Sequence, residues 1–339
     1  MQILLLIALL LISLGFLVKA SSLVVKYSVE IAKILNVSEL VIGLTIIAIG
    51  TSLPETISAV FSALHDNGDL IVGNVIGANM SNLTIVLGVA VLFSPITINK
   101  NLIKRDLTIM IFSSTFTFIV VAIGFFVSWF DAISSLLLFV AYVSFLFFSI
   151  KEKKQDNFLD FVHYFITAKY LHHLLEKGIL TLKTQKAKNI QTRYLLKKIL
   201  LLGVSLTVVF ISAKYLVDFA LDLAFLLGVN ASLIGVLLAI GTTMPELSVT
   251  VSAARQGKGN LLLGNIFGSC TTNSLFVVGT AAMAKQFFVS PAVVMDIAIT
   301  LLIIIFLSLF IFFKRKLSRV YALALFLAYG LFLSQFLGA

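Results

Sequence analysis

Ten apolar runs dominate this chain of 339 residues, at roughly 2–18, 38–64, 70–93, 107–128, 132–150, 199–226, 232–254, 260–284, 292–313 and 320–337. A bilayer span needs about 20 mostly apolar residues, and in hydrocarbon every backbone polar group must find its partner inside the protein. The pattern therefore predicts a bundle of membrane-spanning helices. Composition agrees: 60% of residues are hydrophobic, 12% are charged and the mean hydropathy is +1.11. These values exclude a cytosolic enzyme, a disordered chain and a disulfide-rich secreted module. The single cysteine can form neither an internal disulfide nor a structural zinc site. The first run lacks a basic leader and a small-residue cleavage site and reads as a retained helix, extended by residues 19–35 as an amphipathic segment.

The net charge of +10 points to nucleic acid only until the charges are located. With ten spans, alternate loops share a side, and 23 of the 25 Lys and Arg fall in one set, leaving Lys214 and Lys285 in the other. Basic loops stay cytoplasmic, so both termini are expected outside and the long 151–198 segment inside. That segment holds eleven basic and four acidic residues. Its first part has apolar residues at helical spacing, which suits an amphipathic helix on the anionic leaflet; a flexible tether is the alternative. The expected organisation is a five-helix unit over 1–150, a cytoplasmic linker over 151–198 and a second five-helix unit over 199–339.

Self-comparison carries the argument further. Residues 48–88 align without gaps to residues 239–279, with 16 of 41 positions identical. Five spans separate the two copies, so the first starts in a helix running inwards and the second in one running outwards. This is an inverted-topology repeat, an architecture of secondary transporters. Of fifteen Asp and Glu, only Glu55 and Glu246 lie in mid-span, at equivalent positions. Each such group costs at least ~2.5–3.5 kcal/mol to insert, and the bland alternative is a protonated pair hydrogen-bonded to helix backbones.

Pro54 and Pro245 precede the two acids and cannot donate a backbone hydrogen bond, so the helices are expected to break at mid-membrane. Freed carbonyls are tolerated at that depth only where they line a cavity or meet a ligand. Thr51 and Glu55 are four apart, as are Thr242 and Glu246, so hydroxyl and carboxylate are expected on one face. Further along, Asn74, Gly77, Ala78, Ser81 and Asn82 form a second face, repeated by Asn265, Gly268, Ser269, Thr272 and Asn273. Close helix packing is the expected role of Gly73, Gly77, Gly264 and Gly268. The donors are hard oxygens, which suit calcium, with sodium able to use a subset; they do not suit zinc or copper.

At these residues the sequence resembles the calcium/cation antiporter superfamily, and within it the sodium/calcium exchanger branch. The resemblance rests on the paired GT[ST]xPE and GNxxG motifs in 48–88 and 239–279. It implies a ten-helix exchanger with its site between the second, third, seventh and eighth helices. By motif match, Thr51, Ser52 and Glu55 are implied as ligands from one repeat, and Thr242, Thr243 and Glu246 from the other. Asn82, Ser269 and Asn273 match further ligand positions, and the carbonyls of Ala48 and Ala239 are implied contributors. The family's behaviour implies that the first and sixth helices slide to alternate access. Three positions depart from the pattern. Ala78 stands where sodium-coupled relatives usually carry serine, Asn273 where many carry aspartate, and Cys270 where asparagine is usual. The proton-coupled branch usually has glutamate where this chain has Gly77 and Gly268.

The expectation is an all-α membrane antiporter exchanging Ca2+ for Na+, in the cell membrane, without a resident cofactor, a nucleic-acid partner or a required oligomer. Proton-coupled exchange of calcium or another divalent cation is the alternative, and a passive cation channel a more remote one. An enzyme is not expected, because no nucleophile or acid–base group with a partner is visible. His65 with Asp66 and Asp69 reads as a solvated turn, with a cation funnel as the alternative. His172 and His173 point apart on a helix and make a poor metal pair.

Overall fold

The computed structural model describes residues 2–34, 48–97, 102–152, 157–171, 192–257, 259–314 and 316–337. Helix α1 runs unbroken over Gln2–Ile34, so the first apolar run and its amphipathic extension form one rod. The start of the expected second span, residues 38–47, lies outside the described residues, as do Lys258, Arg315, His172 and His173. The chain continues with the short helix α2 (Ala48–Thr51), then α3 (Leu53–Leu64) and α4 (Gly68–Ser81). A π-turn at Asn82–Val86 leads from α4 into α5 (Leu87–Phe93). Another, Ile103–Leu107, opens α6 (Thr108–Ala122), and α7 follows over Trp129–Glu152. Within the expected linker lies α8 (Phe158–Ile166), before the long α9 (Thr192–Leu227).

After α9 come α10 (Ala231–Thr242), α11 (Met244–Arg255) and α12 (Gly259–Thr272). A π-turn at Asn273–Val277 leads into α13 (Val278–Ala284), followed by α14 (Pro291–Phe313) and α15 (Val320–Leu337). Among the described residues, eight helical stretches are long and apolar enough to cross a membrane, and Leu53–Leu64 and Val320–Phe336 are shorter apolar helices. Sequence chemistry sets the helix starts. Pro54 sits in the first turn of α3, where no N–H partner is needed. The Asn67 side chain accepts from the Leu70 N–H at 3.0 Å and caps α4. Asn157 and Asp160 form a capping box on α8.

Four two-residue strands define the two ends of the bundle. Strand β1 (Ile96–Thr97) pairs antiparallel with β4 (Lys316–Leu317), and β2 (Phe126–Val127) with β3 (Phe287–Phe288). The β2–β3 end also holds Lys285 Nζ on Asp66 Oδ2 at 2.7 Å, and Asp69 Oδ1 accepting from the Ser290 N–H at 2.7 Å. At the β1–β4 end, the Arg255 guanidinium lies 4.5 Å from the Phe93 ring centre. Between the ends runs Gly68–Phe93, 26 residues, or about 39 Å at 1.5 Å per residue.

Two packing features position the site. α4 lies backbone to backbone on α10, where a Cβ on Gly73 would stand 2.2 Å from the Ser232 carbonyl oxygen, and one on Gly235 2.7 Å from the Asn74 nitrogen. Gly73 and Gly77 thus play the expected packing role. Gly264 meets nothing within 4 Å among the described residues, and Gly268 only Tyr142 Oη at 3.7 Å; their repeat-equivalent partner, residues 41–47, is outside the described residues. α1 and α9 pack side by side around a separate apolar cluster that includes Leu17, Val209, Leu216 and Ala220. α8 is amphipathic as expected, but its aromatic face seats on protein. Phe161 and Tyr164 are buried, each ring 5.6 Å from that of Phe145, while Leu159 and Ile166 are exposed.

Candidate ion-binding site

Both proline motifs break their helices where the sequence predicts. α2 ends at Thr51 and α3 begins at Leu53, with Ser52 between them at φ −87°, ψ 14°. α10 ends at Thr242 and α11 begins at Met244, with Thr243 at φ −79°, ψ 6°. The fold brings the breaks together in the interior. Glu55 is 0% and Glu246 1% exposed, and Thr51, Ser52, Thr242 and Thr243 are buried with them. Ser52 Oγ donates to Glu246 Oε1 across the two halves at 3.4 Å.

The pairing crosses over between motifs. The hydroxyl that acts on Glu55 belongs to Thr242, whereas those of Thr51, Ser52 and Ser269 act on Glu246. Each threonine thus serves the acid of the other motif, in addition to standing four residues from its own. The carboxylates are also close enough for Glu55 to feel the charge of Glu246. Ser81 Oγ lies 3.0 Å from Thr243 Oγ1, tying α4 to the second break.

Asn82 and Asn273 are buried and each opens a π-turn. α11, which carries Glu246, packs on the Asn82 turn, and α3, which carries Glu55, packs on the Asn273 turn. Among the described residues, no hydrogen-bond partner exists for either oxygen of Glu55, for Glu246 Oε2, Ser269 Oγ, Asn273 Oδ1, or the Asn82 carboxamide. A buried polar atom left unpaired costs about 1–3 kcal/mol, and more when charged. The set gathers buried acceptor oxygens that have no donor among the described residues. No three His, Cys, Asp or Glu side chains gather among the described residues, so a metal here meets two carboxylates and otherwise neutral oxygens.

The implied carbonyl ligands are placed less freely. The Ala239 oxygen accepts from the Thr243 N–H at 3.1 Å and from the hydroxyls of Thr243 and Thr242 at 2.9 and 3.4 Å. Ala48 begins α2, and the segment before it lies outside the described residues. Ala78 is fully buried and brings a methyl group where a hydroxyl was the family pattern. Asn265 Nδ2 donates to Thr250 Oγ1 at 3.1 Å, while its repeat mate Asn74 has no hydrogen-bond partner among the described residues.

Sequence reasoning missed two contributors. Thr56 Oγ1 donates to the Ser52 carbonyl at 2.6 Å, beside the backbone bond that the same carbonyl accepts from the Thr56 N–H at 3.0 Å, and so ties the first turn of α3 to the break. Asn79 accepts from Asn273 Nδ2 at 3.2 Å. Away from the centre, His65 Nε2 is 2.9 Å from Asp218 Oδ1, Asp66 holds Lys285 and Asp69 holds the Ser290 N–H. The acids of this turn are engaged in tying the β2–β3 end together.

Comparison with known proteins gives the family. The profile of the family described as sodium/calcium exchanger protein matches residues 5–148 and 197–338. The chain is 38% identical to the sodium/calcium exchanger MaX1 of Methanosarcina acetivorans over 88% of its own length and 90% of that protein. It is 28% identical to the inner membrane protein YrbG of Escherichia coli K12, over 89% of this chain and 87% of that one. A solved structure of the sodium-calcium exchanger NCX_Mj, soaked in sodium without calcium, superposes with a TM-score of 0.56 at 27% identity, covering 99% of this chain and 97% of the other. The apolar helices, the paired broken helices and these matches lead to one conclusion: this multi-pass membrane protein belongs to the sodium/calcium exchanger family of cation antiporters.

Proposed function

We propose that this protein exchanges Ca2+ for Na+ by alternating access, at a site built from Glu55 and Glu246 with Thr51, Ser52, Thr242, Thr243, Ser269, Asn82 and Asn273. The carrying observation is the set of buried oxygens, acids among them, that have no hydrogen-bond donor among the described residues. Two carboxylates neutralise one divalent ion, and hydroxyl and carboxamide oxygens complete a flexible hard-oxygen shell. Sodium competes for part of that shell, so occupancy by one ion excludes the other. The pairing of sodium with calcium in the names of MaX1 and NCX_Mj supports the choice of ions.

The architecture we infer is ten helices in two five-helix halves of opposite orientation, 1–150 and 199–339, joined by the 151–198 linker. It is supported by the recurrence of break, helix and π-turn at an offset of 191 residues. It is further supported by the strands: the first of each half pairs with the second of the other. The loop at 65–69 lies at the β2–β3 end, while Gly259, the repeat mate of Gly68, lies by β1 against Ile96 and Thr97. The distribution of Lys and Arg supports a cytoplasmic β1–β4 end and linker, with both termini outside.

A proton-coupled exchanger is the second reading, favoured by the buried methyl of Ala78 and the uncharged Asn273. Three sodium ions per calcium would move one net charge, worth ~2.3 kcal/mol per 100 mV; two protons on the glutamates would move none. Calcium uptake into proteoliposomes separates the readings. Uptake driven by a sodium gradient and lost in Glu55→Gln and Glu246→Gln is the expected result. Uptake driven only by a pH gradient selects proton coupling. Flux that needs no counter-ion gradient and survives both substitutions overturns the exchanger site.

A further inference from the structure

We propose that Asn79 is a positioning residue of the ion site, holding the Asn273 carboxamide with its NH2 consumed and its oxygen free for the cation. Three side chains form a line of donors running from Asn273 through Asn79 to Ser274, and a fourth, Ser114, stands beyond it. Asn273 Nδ2 donates to Asn79 Oδ1 at 3.2 Å, and Asn79 Nδ2 donates to Ser274 Oγ at 3.1 Å. Ser274 Oγ in turn lies 3.5 Å from Ser114 Oγ on α6. Thr117 Oγ1, one turn further along α6, donates to the Ser274 carbonyl at 2.7 Å and pins the π-turn that Asn273 opens. All five residues are buried, and the one polar atom of this line with no partner among the described residues is Asn273 Oδ1.

A carboxamide has a donor end and an acceptor end of nearly equal shape, and its partners alone decide which end faces where. With Asn79 turned over, its NH2 would meet the Asn273 oxygen, and the Asn273 NH2 would be the end offered to the ions. A cation cannot use that end. Asn79 therefore sets the ligand character of its neighbour without touching the ion. It does so from a position whose repeat mate is Cys270, so this control exists in one half of the molecule only.

The inference rests on the central glutamates holding the ion, and calcium–calcium exchange in proteoliposomes of the full chain tests it without fixing the coupling ion. Asn79→Leu leaves the Asn273 amide free to turn. It is expected to raise KM for calcium about tenfold, the size of one lost hydrogen-bonded arrangement, with the saturating rate within about twofold of the parent. Asn79→Asp, with its buried carboxyl protonated, keeps an acceptor for Asn273 Nδ2 and a donor for Ser274 Oγ; its KM is expected within about twofold of the parent. Asn79→Leu is expected to add nothing in an Asn273→Ala background. An unchanged KM in Asn79→Leu, an equal rise in Asn79→Asp, or additivity with Asn273→Ala each overturns the proposal. If the leucine variant does not assemble, Asn79→Ala is read by the same criteria. Should Glu55→Gln and Glu246→Gln retain exchange, the site itself is wrong; should they silence it while Asn79→Leu does not move KM, only the positioning role is wrong.

Discussion

Glu55 and Glu246 are withdrawn from water, yet three of their four oxygens have no hydrogen-bond donor among the described residues. Neutral hydroxyls nearby stabilise a charge only in part, and in the exchange we propose a bound cation would supply the rest. In the site we propose, single atoms around that pair would set the choice of cation. Ala78 contributes a buried methyl one turn before Asn82, where sodium-coupled relatives usually carry a serine hydroxyl. Ala78→Ser restores one oxygen and is expected to lower the sodium concentration that half-inhibits calcium–calcium exchange by about three- to tenfold, one neutral hydrogen-bond-sized contact, while calcium KM stays within about twofold. No change in sodium inhibition would place the missing sodium ligand elsewhere. These residues were legible in the sequence because an acid after a proline at mid-span, present twice, has few structural excuses. Asn79 was not. It lies five residues from Asn74, about 140° around the helix, off the polar face that spacing picks out. Its repeat mate is a cysteine, so self-comparison does not mark it either.

At the scale of elements, the breaks at Ser52 and Thr243 set the acids at the start of new helices, where the first-turn N–H groups lack intrahelical partners. That arrangement needs α10 held rigidly, and α4 does it through glycines. A Cβ at Gly73 would meet the Ser232 carbonyl oxygen at 2.2 Å and its Cα at 2.7 Å, and backbone atoms have no rotamer with which to yield. Gly73→Ala is therefore expected to destabilise the protein by about 1–3 kcal/mol, the range of overpacked cores. Gly203→Ala on α9 meets nothing within 4 Å among the described residues and is expected to be neutral or stabilising by up to ~1 kcal/mol. Thermal unfolding in detergent checks both; equal melting temperatures would show that the α4–α10 contact is looser than these distances. Proline and glycine punctuation made the breaks and this contact predictable. The π-turns were invisible, because adding one residue to a helical turn leaves hydropathy untouched. The strand pairs were invisible too, since two residues at a span's edge carry no alternating pattern.

For the whole molecule, the proposed inversion and the charge distribution make a joint claim about sidedness. Lys285, half-exposed, stands at the β2–β3 end and Lys316, exposed, at the β1–β4 end, on opposite ends of a helix about 39 Å long at 1.5 Å per residue. The chain's one thiol, Cys270, is fully buried, so a new cysteine reports on its own position without removal of the natural one. Losing the half-exposed Lys285–Asp66 ion pair costs at most about 1 kcal/mol, so Lys285→Cys is expected to fold. In intact cells, a membrane-impermeant maleimide should label Lys285→Cys and reach Lys316→Cys only after permeabilisation. Both sites labelling from one side would break the two-ended frame on which the inverted halves depend. Labelling with the sides exchanged would keep the frame and reverse its orientation, meaning that the 23 basic residues assigned to the cytoplasmic side do not obey the positive-inside rule in this protein.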